Sequence, residues 1–258
     1  MNKKGSLVSV GLGMTLGAHI TPISRSIIEN ADVVFVAASN NLVEEWVKGM
    51  NNDVRSLQPY YDEGTSRRVT YNKWIDLIMG EVRAGKNVCG AYYGHPGVFA
   101  WAPHETIKIA KEEGFLAYME PGISAEDCLF ADLGINPGTK GCINLEATQF
   151  MMKHKSIDPT SYLILWQVAI AGDISLAKFS TNSKYKQVLL DKLYESYPKN
   201  HEIILYECAV LPIDQPRIEK IELSDINNVE MSLKTTVVIP PSHSSEVDKK
   251  RLKIIQNL

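Results

Sequence analysis

The chain has 258 residues, 45% of them hydrophobic, and a formal net charge of -3. That is enough apolar material for one large core or two smaller ones, and it excludes a disordered segment. With no basic excess to neutralise phosphates, nucleic acid is excluded as a main partner.

No run approaches about 18 apolar residues, so no membrane span is expected. The start, MNKKGSLVSVG, has two lysines but enters a glycine-punctuated strand instead of an apolar secretory core, and a cytoplasmic setting follows. Cys89, Cys128, Cys142 and Cys208 lie far apart in apolar surroundings, with no C-x-x-C and no paired His spacing. They read as buried free thiols; neither disulfides nor structural zinc is expected.

Strand-like and helix-like segments alternate along the chain. Leu7–Leu12 is a β-rich run ending in Gly11-Leu12-Gly13, after which Thr21 and Pro22 offer an N-cap and an N1 proline for a helix through Asn30. Residues 32–37 form the next strand. Ser39 can cap a helix whose apolar face is Leu42, Val43, Trp46 and Val47. QPYYDEGTSRRVTY, residues 58–71, is a polar, glycine-broken loop with three tyrosines, and it feeds a helix carrying Trp74, Ile75, Ile78 and Val82 on one stripe. Gly85 stops that helix.

VCGAYYGHPGVF, residues 88–99, is the stretch that organises the rest: a buried strand breaks into Gly94-His95-Pro96-Gly97 before Val98-Phe99 resumes. In an open α/β sheet, ligands bind beyond the carboxyl ends of strands, so the stretch reads as a binding loop or as an ordinary tight turn. A helix over 103–113, a strand over 115–119 and Glu120-Pro121-Gly122 follow, and that last tripeptide reads as a seam between two halves. Ser124 and Asp127 resemble a capping box opening the helix SAEDCLFADLG. Strands are expected at 142–145, 162–168, 202–208 and 235–239, a weaker one at 217–223, and an amphipathic helix at 183–197; short links suit antiparallel pairing.

The reading is therefore an α/β protein with a mostly parallel N-terminal sheet and a mixed or antiparallel C-terminal one. Its domains are 1–120, 121–241 and a tail, 242–258. Gly11-x-Gly13 lacks the third glycine of a dinucleotide fingerprint, which argues against a Rossmann NAD site. His95 and His104 are candidate bases without a neighbouring nucleophile motif.

Gly11-x-Gly13, Tyr93-Gly94-His95-Pro96-Gly97-Val98-Phe99 and Pro121-Gly122-Ile123-Ser124-Ala125, in this order and spacing, resemble the tetrapyrrole methylase superfamily over residues 6–241. YYGHPGVF, PGISAEDCLFADLGINPG and Glu146-Ala147-Thr148-Gln149-Phe150 are more similar to the borosin peptide backbone α-N-methyltransferases. His95, where tetrapyrrole methylases usually carry Asp, also favours that branch.

The resemblance implies a two-domain fold with S-adenosyl-L-methionine (SAM) in the cleft between domains, S-adenosyl-L-homocysteine as product, and no metal. It assigns SAM contacts to Tyr93, His95, Val98, Phe99, Ser124 and Ala125, then to Gln167, Tyr206, Cys208, Ala209 and Thr236. It assigns Arg67 and Tyr71 to amide deprotonation, with Arg67 favouring a tyrosinate, and Tyr61 and Tyr93 to orientation and imidate stabilisation. Gln58 stands where some members have a further tyrosine. Only SHSSEVDKKRLKIIQNL follows Pro240-Pro241, without a core peptide. A split system is therefore expected: a homodimer acting on a separate precursor peptide, or a heterotetramer once two precursors bind. A SAM methyltransferase of a tetrapyrrole or other small molecule, and a non-catalytic SAM- or peptide-binding scaffold, are the alternatives.

Overall fold

The computed structural model describes residues 5–258, which leaves the two N-terminal lysines outside the described residues. Five strands, β1 (Ser6–Gly11), β2 (Val33–Ala37), β3 (Val54–Ser56), β4 (Asn87–Tyr92) and β5 (Leu116–Met119), form one sheet in the order β3-β2-β4-β1-β5. Its neighbouring strands all pair in parallel. Parallel sheets need both faces covered, and VVFVA of β2 is buried at all five positions.

Four helices supply the cover: α1 (Pro22–Asn30), α2 (Asn41–Lys48), α3 (Arg67–Arg83) and α4 (Trp101–Glu112). Leu7, Val33, Phe35, Val88 and Tyr92 share a core with Trp74, Ile78 and Met79 of α3 and Ile107 of α4. Val10, Val34, Val36, Cys89 and Ala91 face the other way, onto Ile28 of α1 and Val43 and Val47 of α2. Each such aliphatic side chain contributes about 1.5–3 kcal/mol by leaving water.

Helix starts follow local chemistry. Thr21 caps α1 with Pro22 at its first position, as the sequence predicts. Asn40, not Ser39, caps α2, because its Oδ1 accepts from Val43 N–H at 3.0 Å. Ser124 and Asp127 form the reciprocal capping box of α5 (Ala125–Leu133), which ends on left-handed Gly134. Ser124→Ala should lower stability by about 1 kcal/mol; a denaturant melt with an unchanged midpoint would refute the cap's contribution.

A second sheet takes β6 (Cys142–Glu146), β7 (Tyr162–Trp166), β8 (Glu202–Glu207), β9 (Arg217–Glu222) and β10 (Thr236–Ile239) in the order β6-β7-β10-β8-β9. It is mixed, as expected: β6 and β7 are parallel, while β10 runs antiparallel to β7 and β8. Leu163, Leu165, Ile203, Leu205, Val237 and Ile239 alternate onto one face with Phe150 of α7 (Ala147–Met152) and Leu189, Leu190 and Leu193 of α8 (Ser183–Leu193). The short elements β3, α6 (Pro137–Lys140) and α7 are not anticipated by periodicity, being too brief to establish one. The tail carries α9 (Lys249–Ile255), all of it exposed.

The described chain divides into two units. Unit 1 takes residues up to Ile135 with Asp173–Phe179 and Glu207–Arg217; unit 2 takes Asn136–Gly172, Ser180–Tyr206 and Ile218–Leu258. This differs from a cut after residue 120, and contact explains the difference. A Cβ on Gly122 would lie 2.5 Å from Gly94 O and 2.8 Å from Gly11 Cα, so the expected seam is itself packed inside unit 1.

Candidate functional site

The three glycine motifs singled out in the sequence meet in space within unit 1. Gly13 and Gly94 form an antiparallel bridge with φ of 72° and 66°, conformations that favour glycine. Gly11 abuts both Gly94 O and Gly122 Cα closely enough that a Cβ there would sit at 2.5 and 2.7 Å. These glycines are required by backbone packing against backbone. The ends of β1 and β4 and the entry to α5 are thereby held together.

The loop beyond β4 is tied by its own histidines. His95 Nδ1 accepts from Gly97 N–H at 2.9 Å, and His104 Nε2 donates to Gly97 O at 2.9 Å. Each candidate base thus commits one ring nitrogen to the turn. Phe99, in the loop between β4 and α4, has φ 50° and is 45% exposed, a strained non-glycine residue, and Tyr93, just after β4, is 53% exposed. Exposed aromatic side chains and a strained backbone beside a sheet's carboxyl ends are the features of a ligand-holding loop.

Ser124 is buried at the capping box, with Ala125 opening α5, and Val98 is half-buried. Cys208 and Ala209 also belong to unit 1: Ala209 O accepts from Thr15 Oγ1 at 3.0 Å and from the Cys208 thiol at 3.4 Å. Thr15 N–H donates to His19 Nδ1 at 3.2 Å, and Cys128 Sγ lies 3.9 Å from that nitrogen. A hydrogen bond to Cys208, then burial, pushes the Cys128 thiol up. The reading of four buried thiols is corrected here: Cys142 and Cys208 are only half-buried, and the fold brings the free thiols of Cys128 and Cys208 together.

The remaining predicted cofactor residues lie in unit 2. Thr236 and Tyr206, both buried, face one another across β10 and β8. Gln167 is exposed just after β7, with φ 59°. An open depression of about 520 Å³ elsewhere on unit 2, lined by Met151, His154, Val188, Asp191, Lys192 and Glu195 among others, contains none of the predicted site residues. Its mixed charges suit a solvated groove.

The tyrosine loop and α3 form the other half of the site. Trp74 Nε1 donates to Leu57 O at 3.0 Å and Thr70 Oγ1 to Tyr60 O at 2.8 Å, which pins the loop onto the helix. Gln58, the position of the missing tyrosine, sends its amide to Ala38 O at 2.7 Å. Arg67 and Tyr71 stand one turn apart on α3, which begins at Arg67, inside the stretch 58–71 expected to be a loop. Tyr71's ring packs at 5.2 Å from Trp74 and 6.4 Å from both Tyr61 and Trp101.

Electrostatically, the loop departs from expectation. Burial first, then Tyr61 and Tyr93, push the Tyr71 phenol up; Arg67 pulls it down but is outweighed. Arg67 favours the tyrosinate, in the expected direction, but desolvation of the anion exceeds the guanidinium's attraction and favours the phenol. Tyr93 is pushed up too, by the protein packed around it and then by Tyr61, although half of its surface remains open.

Sequence reasoning missed one contributor, the segment Asp173–Phe179. Phe179 stacks on Tyr61 at 5.4 Å, and Asp173 is 3.5 Å from the Arg67 guanidinium. Asp173-x-Ser175 reads locally as an Asx turn; nothing local names its distant partner.

Doubly wound unit, glycine-held strand ends and mixed second sheet define the class. Residues 6–210 match the family model of Tetrapyrrole (Corrin/Porphyrin) Methylases, and the chain belongs to that family. It is similar to the methyltransferase/ribosomally synthesized cyclic peptide gymnopeptides precursor of Gymnopus fusipes, with 41% identity over 243 residues, 92% of this chain and 57% of that protein. It is also similar to the methyltransferase/ribosomally synthesized type I borosin cyclic peptide precursor of Coprinopsis marcescibilis, at 37% over 94% of this chain and 64% of that protein. The chain thus spans roughly three fifths of these relatives' length. Among solved structures, uroporphyrin-III-C-methyltransferase from Thermus thermophilus has a TM-score of 0.64 at 18% identity, covering 92% of this chain and 93% of that one. Cobalt precorrin-4 methyltransferase has a TM-score of 0.63 at 15% identity, covering 91% and 94%. Both likenesses concern the fold.

Proposed function

We propose that this chain is a SAM-dependent methyltransferase that α-N-methylates backbone amides of a ribosomally made precursor peptide supplied as a separate chain. The observation that carries the reading is the Tyr61, Arg67 and Tyr71 cluster at the start of α3, where the family resemblance assigns amide activation. The names of the relatives, which join a methyltransferase to a ribosomally synthesized peptide precursor, support the substrate class.

Tyr93, His95, Val98, Phe99, Ser124, Ala125, Cys208 and Ala209 would hold the cofactor in unit 1; the resemblance also names Gln167, Tyr206 and Thr236 for it. When bound, SAM supplies an electrophilic methyl group. The rest of the chemistry concerns a proton. An amide nitrogen is a poor nucleophile because its lone pair is delocalised, and its N–H is far too weak an acid for an ordinary base.

A phenol whose pKa is raised by burial is seldom ionised, but its anion is a correspondingly stronger base, closer in strength to what an amide demands. Tyr71 therefore takes the amide proton at its phenolic oxygen in this reading, with Arg67 lowering the cost of the transient anion. Tyr61 and Tyr93, as hydroxyl donors, orient the amide and stabilise charge on its oxygen. A homodimer is the proposed assembly, which with two precursors would be a heterotetramer.

The test is intact-mass and fragment-ion analysis after incubation with SAM and a candidate precursor peptide. Successive gains of about one methyl mass on backbone nitrogens are expected, fragment ions giving the position of each. Methylation confined to side chains or termini would sink the proposal. SAM and peptide binding without any gain would leave a methyltransferase of small molecules as the better reading.

A further inference from the structure

Helix α3 begins under unfavourable conditions. Ser66, its N-cap residue, makes no side-chain capping hydrogen bond, the first turn contains no acidic residue, and two arginines, Arg67 and Arg68, occupy it. Positive charge at a helix N-terminus opposes the macrodipole, and the first N–H groups need partners.

Both deficits are met by Asp173–Phe179, which returns to unit 1 from a much later part of the chain. Leu176 O accepts from Arg67 N–H at 2.7 Å, and Ala177 O accepts from Gly64 N–H at 2.8 Å. Lys178 O accepts from Arg67 Nη1 at 2.9 Å, and Asp173 Oδ2 lies 3.5 Å from Nη2. The segment accepts this at the expense of a left-handed Leu176, φ 59°, a conformation that disfavours a branched side chain.

Asp173 itself is built into place. It is 3% exposed; its carboxylate accepts from the Ser175 N–H and hydroxyl at 3.0 and 2.5 Å and from Lys178 N–H at 3.0 Å. Burial opposes its charge, but the Ser175 and Lys178 donors and then Arg67 outweigh burial and hold the carboxyl below the usual range. A fixed anion therefore faces a guanidinium whose side chain is only 11% exposed.

We infer that Asp173 is a positioning residue: with the Lys178 carbonyl it fixes the direction of the Arg67 guanidinium toward Tyr71 and balances its charge. This rests on the proposed amide chemistry at Tyr71. A purely structural clamp at the head of α3 is the competing role, and the two separate in kinetics.

The experiment measures kcat, peptide KM and SAM affinity for wild type, Asp173→Asn, Arg67→Met and the double variant. Asp173→Asn should lower kcat about ten- to a hundredfold, with KM and SAM affinity within about twofold, since a small misplacement of a reacting group has that effect. In the Arg67→Met background it should cost nothing further, because the two residues act as one unit. Additive losses, or an unchanged kcat, would overturn the assignment.

Should Asp173→Asn fail to fold, Asp173→Glu keeps the charge and moves it by one methylene. Positioning predicts at least about a tenfold loss in kcat there; wild-type kcat would refute it. A readout independent of turnover is ultraviolet titration of the tyrosines. Removing the anion leaves Arg67 uncompensated, so one buried phenol should ionise at lower pH in Asp173→Asn, and an unshifted titration counts against the link. A wild-type chain that methylates no backbone amide would instead overturn the reading on which the inference rests.

Discussion

Tyr71→Phe is expected to reduce the single-turnover methylation rate by about two to three orders of magnitude while SAM affinity and fold are retained. The substitution removes one oxygen and nothing else. The ring keeps its contacts with Trp74, Trp101 and Tyr61. Mass-resolved kinetics on a methylated peptide, with calorimetric SAM binding in parallel, reads both quantities. A Phe variant within about threefold of wild type would remove Tyr71 from the chemistry and make the aromatic cluster a packing device.

The same residue sets an expected pH profile. Because the phenol is raised above its ordinary value of about 10, the anion is a minor species at neutrality. If that anion takes the amide proton, log kcat should climb with unit slope from about pH 6 to about pH 10 without a plateau. Tyr71→Phe should flatten the slope. The stability sign is fixed as well. A native pKa above the unfolded one means the contribution is complete below about pH 10 and is lost as pH rises toward the raised native value.

The second large effect is on stability. Gly11→Ala would put a methyl group 2.5 Å from Gly94 O and 2.7 Å from Gly122 Cα, both backbone atoms of segments that are themselves hydrogen-bonded. Neither neighbour is a flexible side chain that could swing aside. We expect a loss of at least about 3 kcal/mol, the upper end for overpacking, and a fall of roughly 6–12 °C in the unfolding midpoint. Calorimetry on the purified variant tests it, and a shift under about 2 °C would mean that the strand ends are looser than their contacts imply.

Gly11 also illustrates how much was legible in the chain. The glycine after the first strand, the Gly94-His95-Pro96-Gly97 turn and Pro121-Gly122 could each be marked as a forced backbone feature from residue type. So could the Thr21-Pro22 start and the Ser124/Asp127 capping box. At α2 the sequence reading named Ser39 as the cap, and the structure uses its neighbour Asn40, the side chain that the entering backbone aims at Val43 N–H. The brief elements β3, α6 and α7 carry too few residues for a period to emerge.

By itself, the sequence determined the order and kind of the long elements, the Thr21-Pro22 and Ser124/Asp127 helix starts, and the parallel and mixed character of the two sheets. These follow from φ/ψ preference, capping and hydrophobic period, all properties of neighbours along the chain. Only the tertiary structure decided that Asp173 faces Arg67, that Cys128 meets Cys208, that His95 and His104 tie the turn at Gly97, and that burial outweighs Arg67 at the Tyr71 phenol. The reason is physical: partners distant in sequence and the desolvation of a charge both depend on what packs around a group, and that is settled only when the chain has folded.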